Sequence, residues 1–324
     1  MKDKIGRKID YIRISVTDFC NLRCIYCMPK EGIAKREHKD ILRYEEIITI
    51  LKECVKLGIN KIRITGGEPL VRKGIVDFIS MVKEIKGIED ISITTNGILL
   101  ADKAFALKAA GLNRVNISLD TLNPKRYKMI TRGGDIDKVF AALDTSLKAG
   151  LNPVKINMVV IRGINDDEIE EFAKLTIERP FHVRFIELMP IGEGAKLGSE
   201  SVVESDEIRA KVERIGELYP SKDVKNNGPA VTYRFKNAKG TIGFINPISH
   251  AFCSQCNRIR LTADGKLKPC LYSQKEFDIK IVVRNHPELL GRILEEAILS
   301  KPERHGFYSK DMNKSQRNMY QIGG

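Results

Sequence analysis

The sequence predicts an α/β fold of six βα units around a parallel sheet, followed by a smaller α+β region. Three observations carry this. A short motif recurs: Gly58-Ile59-Asn60-Lys61-Ile62-Arg63-Ile64 returns as Gly87-Ile88-Glu89-Asp90-Ile91-Ser92-Ile93, as Gly111-Leu112-Asn113-Arg114-Val115-Asn116-Ile117 and as Gly150-Leu151-Asn152-Pro153-Val154-Lys155-Ile156. Each glycine follows a helix-like stretch and precedes a β-branched run, as a helix-closing glycine does. The composition then changes after Pro190. Helix, glycine and strand in repetition describe a parallel sheet, as a partial barrel or a doubly wound sheet.

The elements follow in order. Tyr11-Ile12-Arg13-Ile14-Ser15-Val16 reads as the first strand. The helix before Gly58 places Ile47, Ile50, Leu51, Cys54 and Val55 on one face, and the helix before Gly150 does so with Val139, Phe140, Leu143 and Leu147. A sixth strand is expected at His182–Leu188. Residues 1–190 thus form the βα body. Ile191 to Glu204, rich in Gly, Ser and Glu, reads as a linker, and 205–300 as the second region. There a short helix is expected at Glu207–Val212, strands at Ala230–Phe235, Thr241–Ile245 and Arg258–Leu261, and a helix at Pro287–Leu299. Loops are expected at Ser221–Pro229 and Ala263–Lys266. The tail, 301–324, is polar and ends in Gly323-Gly324, which by composition reads as a frayed terminus.

Composition narrows the function classes. A chain of 324 residues with 42% hydrophobic and 30% charged residues is an ordinary globular protein. No apolar run reaches the ~18 residues of a membrane span. The opening Met1-Lys2-Asp3-Lys4 lacks a signal-peptide core, so a cytoplasmic location is expected. In a reducing compartment, seven cysteines point to metal ligation or catalysis more than to disulfides. The net charge of +13 favours anionic partners.

Strand parity places some of that charge. Neighbours along a strand point to opposite faces. Arg13, Arg63, Lys155 and Arg184 each sit between two apolar residues, so the aliphatics pack under the helices and the cations turn to the other face. Arg258-Ile259-Arg260 puts two arginines on one face of a later strand. A positively lined cavity of this kind suits a small polyanion such as a nucleoside triphosphate. Nucleic acid, which needs exposed basic surface, suits it less well.

Cys20-Asn21-Leu22-Arg23-Cys24-Ile25-Tyr26-Cys27 follows the first strand, and Cys253, Cys256 and Cys270 form a second triplet. A closed zinc site needs four ligands. Three thiolates around an iron–sulfur cluster leave one iron open, and two such clusters account for both triplets without a missing ligand. A zinc knuckle completed by His250 or another side chain is the competing reading of the second triplet. Cys54 lies on an apolar helix face and reads as an inert core thiol. After the second strand, Thr65-Gly66-Gly67-Glu68-Pro69 sits where βα folds place their sites; its glycines admit a ligand and Glu68 could take an ammonium group.

The cysteine spacing, with Tyr26 before the third cysteine, resembles the radical S-adenosylmethionine (SAM) superfamily, and Gly66-Gly67-Glu68-Pro69 resembles its methionine-amine motif. Within that superfamily, further stretches resemble the members that cyclise GTP in molybdenum cofactor biosynthesis. These are Ile12 to Asp18, Met28-Pro29, Ile62–Glu68, Thr94-Thr95-Asn96-Gly97, Asn116–Asp120, Glu187–Ile191, Asn257 to Thr262 and the closing Gly-Gly. Ile9 and Phe19 depart from that pattern.

The resemblance implies a partial (β/α)6 TIM-like barrel with a smaller C-terminal α+β domain that carries a second cluster. It implies two [4Fe–4S] clusters, on Cys20, Cys24 and Cys27 and on Cys253, Cys256 and Cys270. SAM would be held by Tyr26, Gly67, Ser118 and Met189, and GTP by Arg13, Arg63, Thr94, Lys155, Arg258 and Arg260. Arg184 would neighbour SAM. No side chain is implied as catalytic beyond Arg13 as a candidate. The implied activity is that of a lyase converting GTP to (8S)-3′,8-cyclo-7,8-dihydroguanosine 5′-triphosphate. The implied partners are GTP, an electron donor and the next enzyme of the pathway, with a homodimer left open. The tail would reach the active site.

Overall fold

A computed structural model describes residues 1–33, 37–221, 228–305 and 317–323, apart from the side chain of His38. Six parallel strands form its centre: β1 (Tyr11–Ser15), β2 (Lys61–Thr65), β3 (Asp90–Thr95), β4 (Arg114–Ser118), β5 (Val154–Val160) and β6 (Phe181–Glu187). The helices between them are α1 (Tyr44–Lys56), α2 (Ile75–Lys83), α3 (Ala104–Ala109), α4 (Pro124–Thr131), α5 (Ile136–Lys148) and α6 (Ile169–Glu178). Gly58, Gly87, Gly111 and Gly150 have φ of 86°, 99°, 105° and 72°, the left-handed closure expected at the helix ends.

Residues after β6 add α7 (Ser205–Glu213), β7 (Leu218–Pro220), β8 (Val231–Phe235), β9 (Thr241–Ile245), β10 (Arg258–Leu261), β11 (Lys266–Lys268), β12 (Phe277–Asp278), α8 (Ile279–Asn285) and α9 (Leu290–Leu299). These strands do not build a sheet of their own. β9 pairs in parallel with β6, and β10 in parallel with β1, so one twelve-stranded sheet runs β12-β11-β10-β1-β2-β3-β4-β5-β6-β9-β8-β7. The sheet is curled, since side chains from β1, β6, β9 and β10 line a common cavity with those of the strands between.

The core lies between the outer face of the sheet and the helices. Ile12, Ile14, Ile62 and Ile64 pack there with Ile47 and Leu51 of α1 and Phe78 and Ile79 of α2, all fully buried. Each such side chain contributes about 1.5–3 kcal/mol. Cys54 belongs to this core.

Some expectations are corrected. Phe140 lies off the buried face of α5 and is 37% exposed. Residues 191–204, expected as a linker, have structure of their own. They form two 3₁₀ helices, Gly192–Leu197 and Ser199–Ser201, and Ile191 and Val203 are buried at their ends. The isolated apolar residues of that polar run anchor it. Ile279–Asn285, for which the sequence predicts no element, is helical, with Asp278 capping it through the Ile281 N–H. Part of the expected loop 221–229 lies outside the described residues. No helix among the described residues is long and apolar enough to cross a membrane.

Candidate active site

Strand parity places the basic side chains as expected. Ile12, Ile14, Val154, Ile156, Val183 and Phe185 are in the core under the helices, whereas Arg13, Arg63, Arg184, Arg258 and Arg260 line a cavity of about 290 Å³. All six cysteines of the two triplets line the same cavity. So do Tyr26, Gly67, Thr94, Ser118 and Met189. Lys155 does not reach the lining. It is 1% exposed, in register with Asn116 of β4 and His182 of β6 one layer below.

The cations press on one another. Burial, then Arg260 and Arg63, hold the Arg13 pKa well below its ordinary value. Burial and Arg258 lower that of Arg260 to about 10, and burial and Arg63 lower that of Arg184 to about 9. Burial and Arg184 bring Lys155 down to about 5. Guanidinium groups keep their protons, so this repulsion is relieved by an anion in the cavity. Two polar atoms also await a ligand: Thr94 Oγ1 and Asn157 Oδ1 are buried, belong to residues lining the cavity and have no hydrogen-bond partner among the described residues.

The first cysteine loop is held by the turn after β2. A Cβ on Gly67 would lie 2.5 Å from the carbonyl oxygens of Asp18 and Phe19, and one on Gly66 would lie 2.6 Å from that of Thr17. Gly67 N–H donates to Thr17 at 2.7 Å and Glu68 N–H to Phe19 at 2.9 Å. The glycine pair therefore lets the chain leading into Cys20 approach. Glu68 is not an open acceptor. It is fully buried, and its oxygens accept from Leu70 N–H (3.0 Å), Thr95 Oγ1 (2.8 Å) and Asn96 N–H (2.7 Å). Burial pushes its pKa up to about 7. Asn96 Nδ2 continues the chain of bonds to Asn21 Oδ1 in the cysteine loop, at 2.8 Å.

Burial pushes the Cys20 thiol up to about 11, and burial with Cys20 nearby pushes Cys27 up to about 12. Burial and Cys27 raise Cys24 well above its ordinary value too. Thiols this unwilling to ionise alone need a cation in place of their protons. Cys256 differs. Burial raises it, but Arg258 and Lys301 outweigh that and hold it at about 7. Among the described residues, no three His, Cys, Asp or Glu side chains converge on a site for a single metal ion. In a four-iron cluster each thiolate takes its own iron, so three sulfurs facing one cavity fit that group without converging.

Four side chains at the site escaped the sequence reading. Asp120, two residues beyond Ser118, accepts from Tyr26 Oη at 2.7 Å and from Val159 N–H at 2.9 Å, and burial lifts its pKa to about 6. It fixes Tyr26 between Cys24 and Cys27. Glu187, at the end of β6, accepts from Ser205 N–H (2.9 Å), Ile248 N–H (2.9 Å) and Ser249 N–H (3.1 Å). It ties the barrel to the segment entering Cys253. Lys301 lines the cavity beside Cys256. Tyr320, from the tail, lines it too.

The described part of the tail is docked. Arg260 Nη1 donates to the carbonyls of Ile322 (3.1 Å) and Gly323 (2.8 Å). Gly323 has φ 69°, and a Cβ there would collide with Thr65 Oγ1. Gly324 lies outside the described residues.

Comparison with known proteins agrees with this geometry. The Radical SAM superfamily model matches residues 14–176 and the Molybdenum Cofactor Synthesis C model residues 181–307. The chain is 56% identical over 324 residues to the GTP 3′,8-cyclase of Alkaliphilus oremlandii, covering 100% of both chains. It is 53% identical to that of Clostridium botulinum over 324 residues and 51% identical to that of Petrotoga mobilis over 330, again covering 100% of each. Among solved structures, Streptococcus suis SuiB bound to S-adenosylmethionine matches with TM-score 0.61 at 16% identity, over 88% of this chain and 66% of that one, a likeness of fold. On full-length identity and both domain models, the chain belongs to the GTP 3′,8-cyclase family of the radical SAM superfamily.

Proposed function

We propose that this chain converts GTP to (8S)-3′,8-cyclo-7,8-dihydroguanosine 5′-triphosphate, joining C3′ of the ribose to C8 of the base, an early step of molybdenum cofactor biosynthesis. One observation carries the reading: two cysteine triplets open onto a single cavity that five arginines, Arg13, Arg63, Arg184, Arg258 and Arg260, also line. A peptide substrate has no need of that charge, whereas a triphosphate does. Residues 1–190 provide the SAM half of the site, and 205–300 the auxiliary-cluster half, joined through 191–204. From the tail, 301–324, Lys301, His305, Met319 and Tyr320 complete it.

In this reading Cys20, Cys24 and Cys27 hold one [4Fe–4S] cluster and Cys253, Cys256 and Cys270 another. Tyr26, Gly67, Ser118 and Met189 hold SAM. The first cluster and SAM together supply one-electron cleavage and hydrogen-atom abstraction, chemistry that side chains lack. The protein supplies position and charge. Arg13, Arg63, Arg258 and Arg260 bind the triphosphate, and their guanidinium forks match its oxygens. Lys155, a layer deeper, adds charge from beneath. Thr94 offers its unpartnered hydroxyl to the nucleotide. Asp120 holds the Tyr26 ring in place through the phenol. Closing this cavity over the bound ligands would exclude water from the reacting groups. An electron donor and the enzyme that takes the product complete the set of partners.

The test is anaerobic incubation of reconstituted protein with SAM, reductant and GTP. The expected result is 5′-deoxyadenosine together with the cyclised nucleotide, from protein holding about eight iron atoms per chain. Stoichiometric zinc without iron, or 5′-deoxyadenosine with no GTP-derived product, would overturn the proposal.

A further inference from the structure

Lys301 is 6% exposed. Its Nζ donates to the carbonyl of Arg258 at 2.7 Å and to that of Pro269 at 2.8 Å, and it also bonds to the Cys256 thiol. Arg258 lies two residues beyond Cys256, and Pro269 immediately precedes Cys270. One ammonium therefore fastens the two chain segments that carry these cysteines. The third segment is fastened by Arg7. Its Nη1 donates to the Cys253 carbonyl at 2.7 Å, and its Nη2 to that of Pro302 at 2.8 Å, next to Lys301. Arg7 is neutralised by Asp3, at 2.6 Å. Among the described residues no carboxylate pairs with Lys301. A buried ammonium without a counter-ion is costly, and among the described residues the group able to supply the negative charge is the Cys256 sulfur it touches.

We propose that Lys301 is the fixed counter-charge of the second cysteine set: it locks the Cys256 and Cys270 segments together and favours the more electron-rich state of the iron–sulfur group they hold. This rests on the reading of Cys253, Cys256 and Cys270 as cluster ligands. Net charge and hydrogen bonds to the sulfurs set the potential of such a cluster. A thiolate-bound cluster becomes more negative on reduction, so a cation held against it stabilises the reduced form and raises the potential. Lys301 differs from Arg258 and Arg260, which we assign to substrate. Among the described residues its bonds go to the cysteine frame, so its charge stays whether or not GTP is present. It is a positioning and tuning residue.

The test uses the full-length chain with Cys20, Cys24 and Cys27 replaced by Ala, so that the second set alone is read. After anaerobic reconstitution this protein should hold about four iron atoms; iron-free protein would refute the cluster reading itself. On that background Lys301→Met removes charge and donors, Lys301→Gln keeps a donor without charge, and Lys301→Arg keeps the charge. The Met and Gln variants should show a lower midpoint potential in an EPR-monitored redox titration, and should lose iron to a chelator several-fold faster. The Arg variant should stay near the parent in both. Iron-loaded Met and Gln variants with the parent's potential and chelator half-life would overturn the proposal. So would a Gln variant that matches the Arg variant. If the Met variant does not fold, the Gln and Arg pair decides alone.

Discussion

Arg260 and Gly323, 63 residues apart, are joined by a hydrogen bond of 2.8 Å from guanidinium to carbonyl. The same nitrogen reaches the Ile322 carbonyl at 3.1 Å. A side chain that the proposed function assigns to GTP is thus bonded to the tail, so in that reading the tail is part of the substrate's wall.

Removing Gly323 and Gly324 should therefore abolish cyclisation while the iron content stays unchanged. The deletion would also place a new terminal carboxylate beside Arg260 and neutralise it. Gly323→Val, forced against Thr65 in a left-handed backbone, should lower kcat more than tenfold, about 1.4 kcal/mol in the barrier. Wild-type turnover by the truncated chain would return the tail to a frayed terminus.

The tail is anchored upstream by Arg317, which donates to Glu276 Oε1 at 2.7 Å and to Asp264 Oδ2 at 3.0 Å. Arg317→Ala should cost about 2 kcal/mol, less than a fully buried pair because these partners still reach water. Amide exchange in residues 317–323 should rise, and kcat should fall with the KM for SAM unchanged. Unchanged exchange in the tail would show that Arg317 does not hold it.

Arg258→Ala should weaken GTP use at least tenfold, in keeping with the ~1.5–3 kcal/mol of a charged hydrogen bond. Formation of 5′-deoxyadenosine from SAM should persist, because Arg258 lies on β10, in the half of the site carrying the second cysteine set. Arg260→Ala should behave alike, with the added loss of tail order. GTP turnover at the wild-type rate in both variants would remove these arginines from the substrate site.

Lys155 gives a pH-dependent signature. Burial and Arg184 hold its pKa at about 5, so it is neutral at pH 7 without substrate. A triphosphate above it stabilises the ammonium and raises that pKa. Binding then takes up a proton, and affinity for GTP falls as pH rises from about 5 toward the pKa of the complex, by at most about tenfold per pH unit. Calorimetry in two buffers of different ionisation enthalpy should give different heats, and Lys155→Met should remove the difference. Equal heats for the native chain would mean that Lys155 does not change charge.

The inward basic residues could be read from sequence because strand parity is local: Ile12 and Ile14 fix where Arg13 points. The depth of Lys155 could not, since it depends on the stagger of β5 against β4 and β6. The linker reading of 191–204 followed composition and missed Ile191 and Val203, two apolar anchors within a polar run. Asp120 lay in a stretch already singled out, and its place two residues after Ser118 at a strand end was the usable signal. Glu187, which opens the stretch Glu187–Ile191 and ends β6, carries the same signal; Lys301 carries none, because its partners are distant in sequence. The pairing of β9 with β6 and of β10 with β1 is equally non-local.

That pairing bears on how the protein is made. During synthesis the first 190 residues emerge with β1 and β6 as bare edges, each a row of unpaired amides able to recruit a foreign strand. β9 and β10 arrive only some sixty residues of translation later, a matter of seconds on the ribosome. Until then the nascent barrel is exposed to misassembly at both rims, and the residues that finish the active site are the ones that end this exposure.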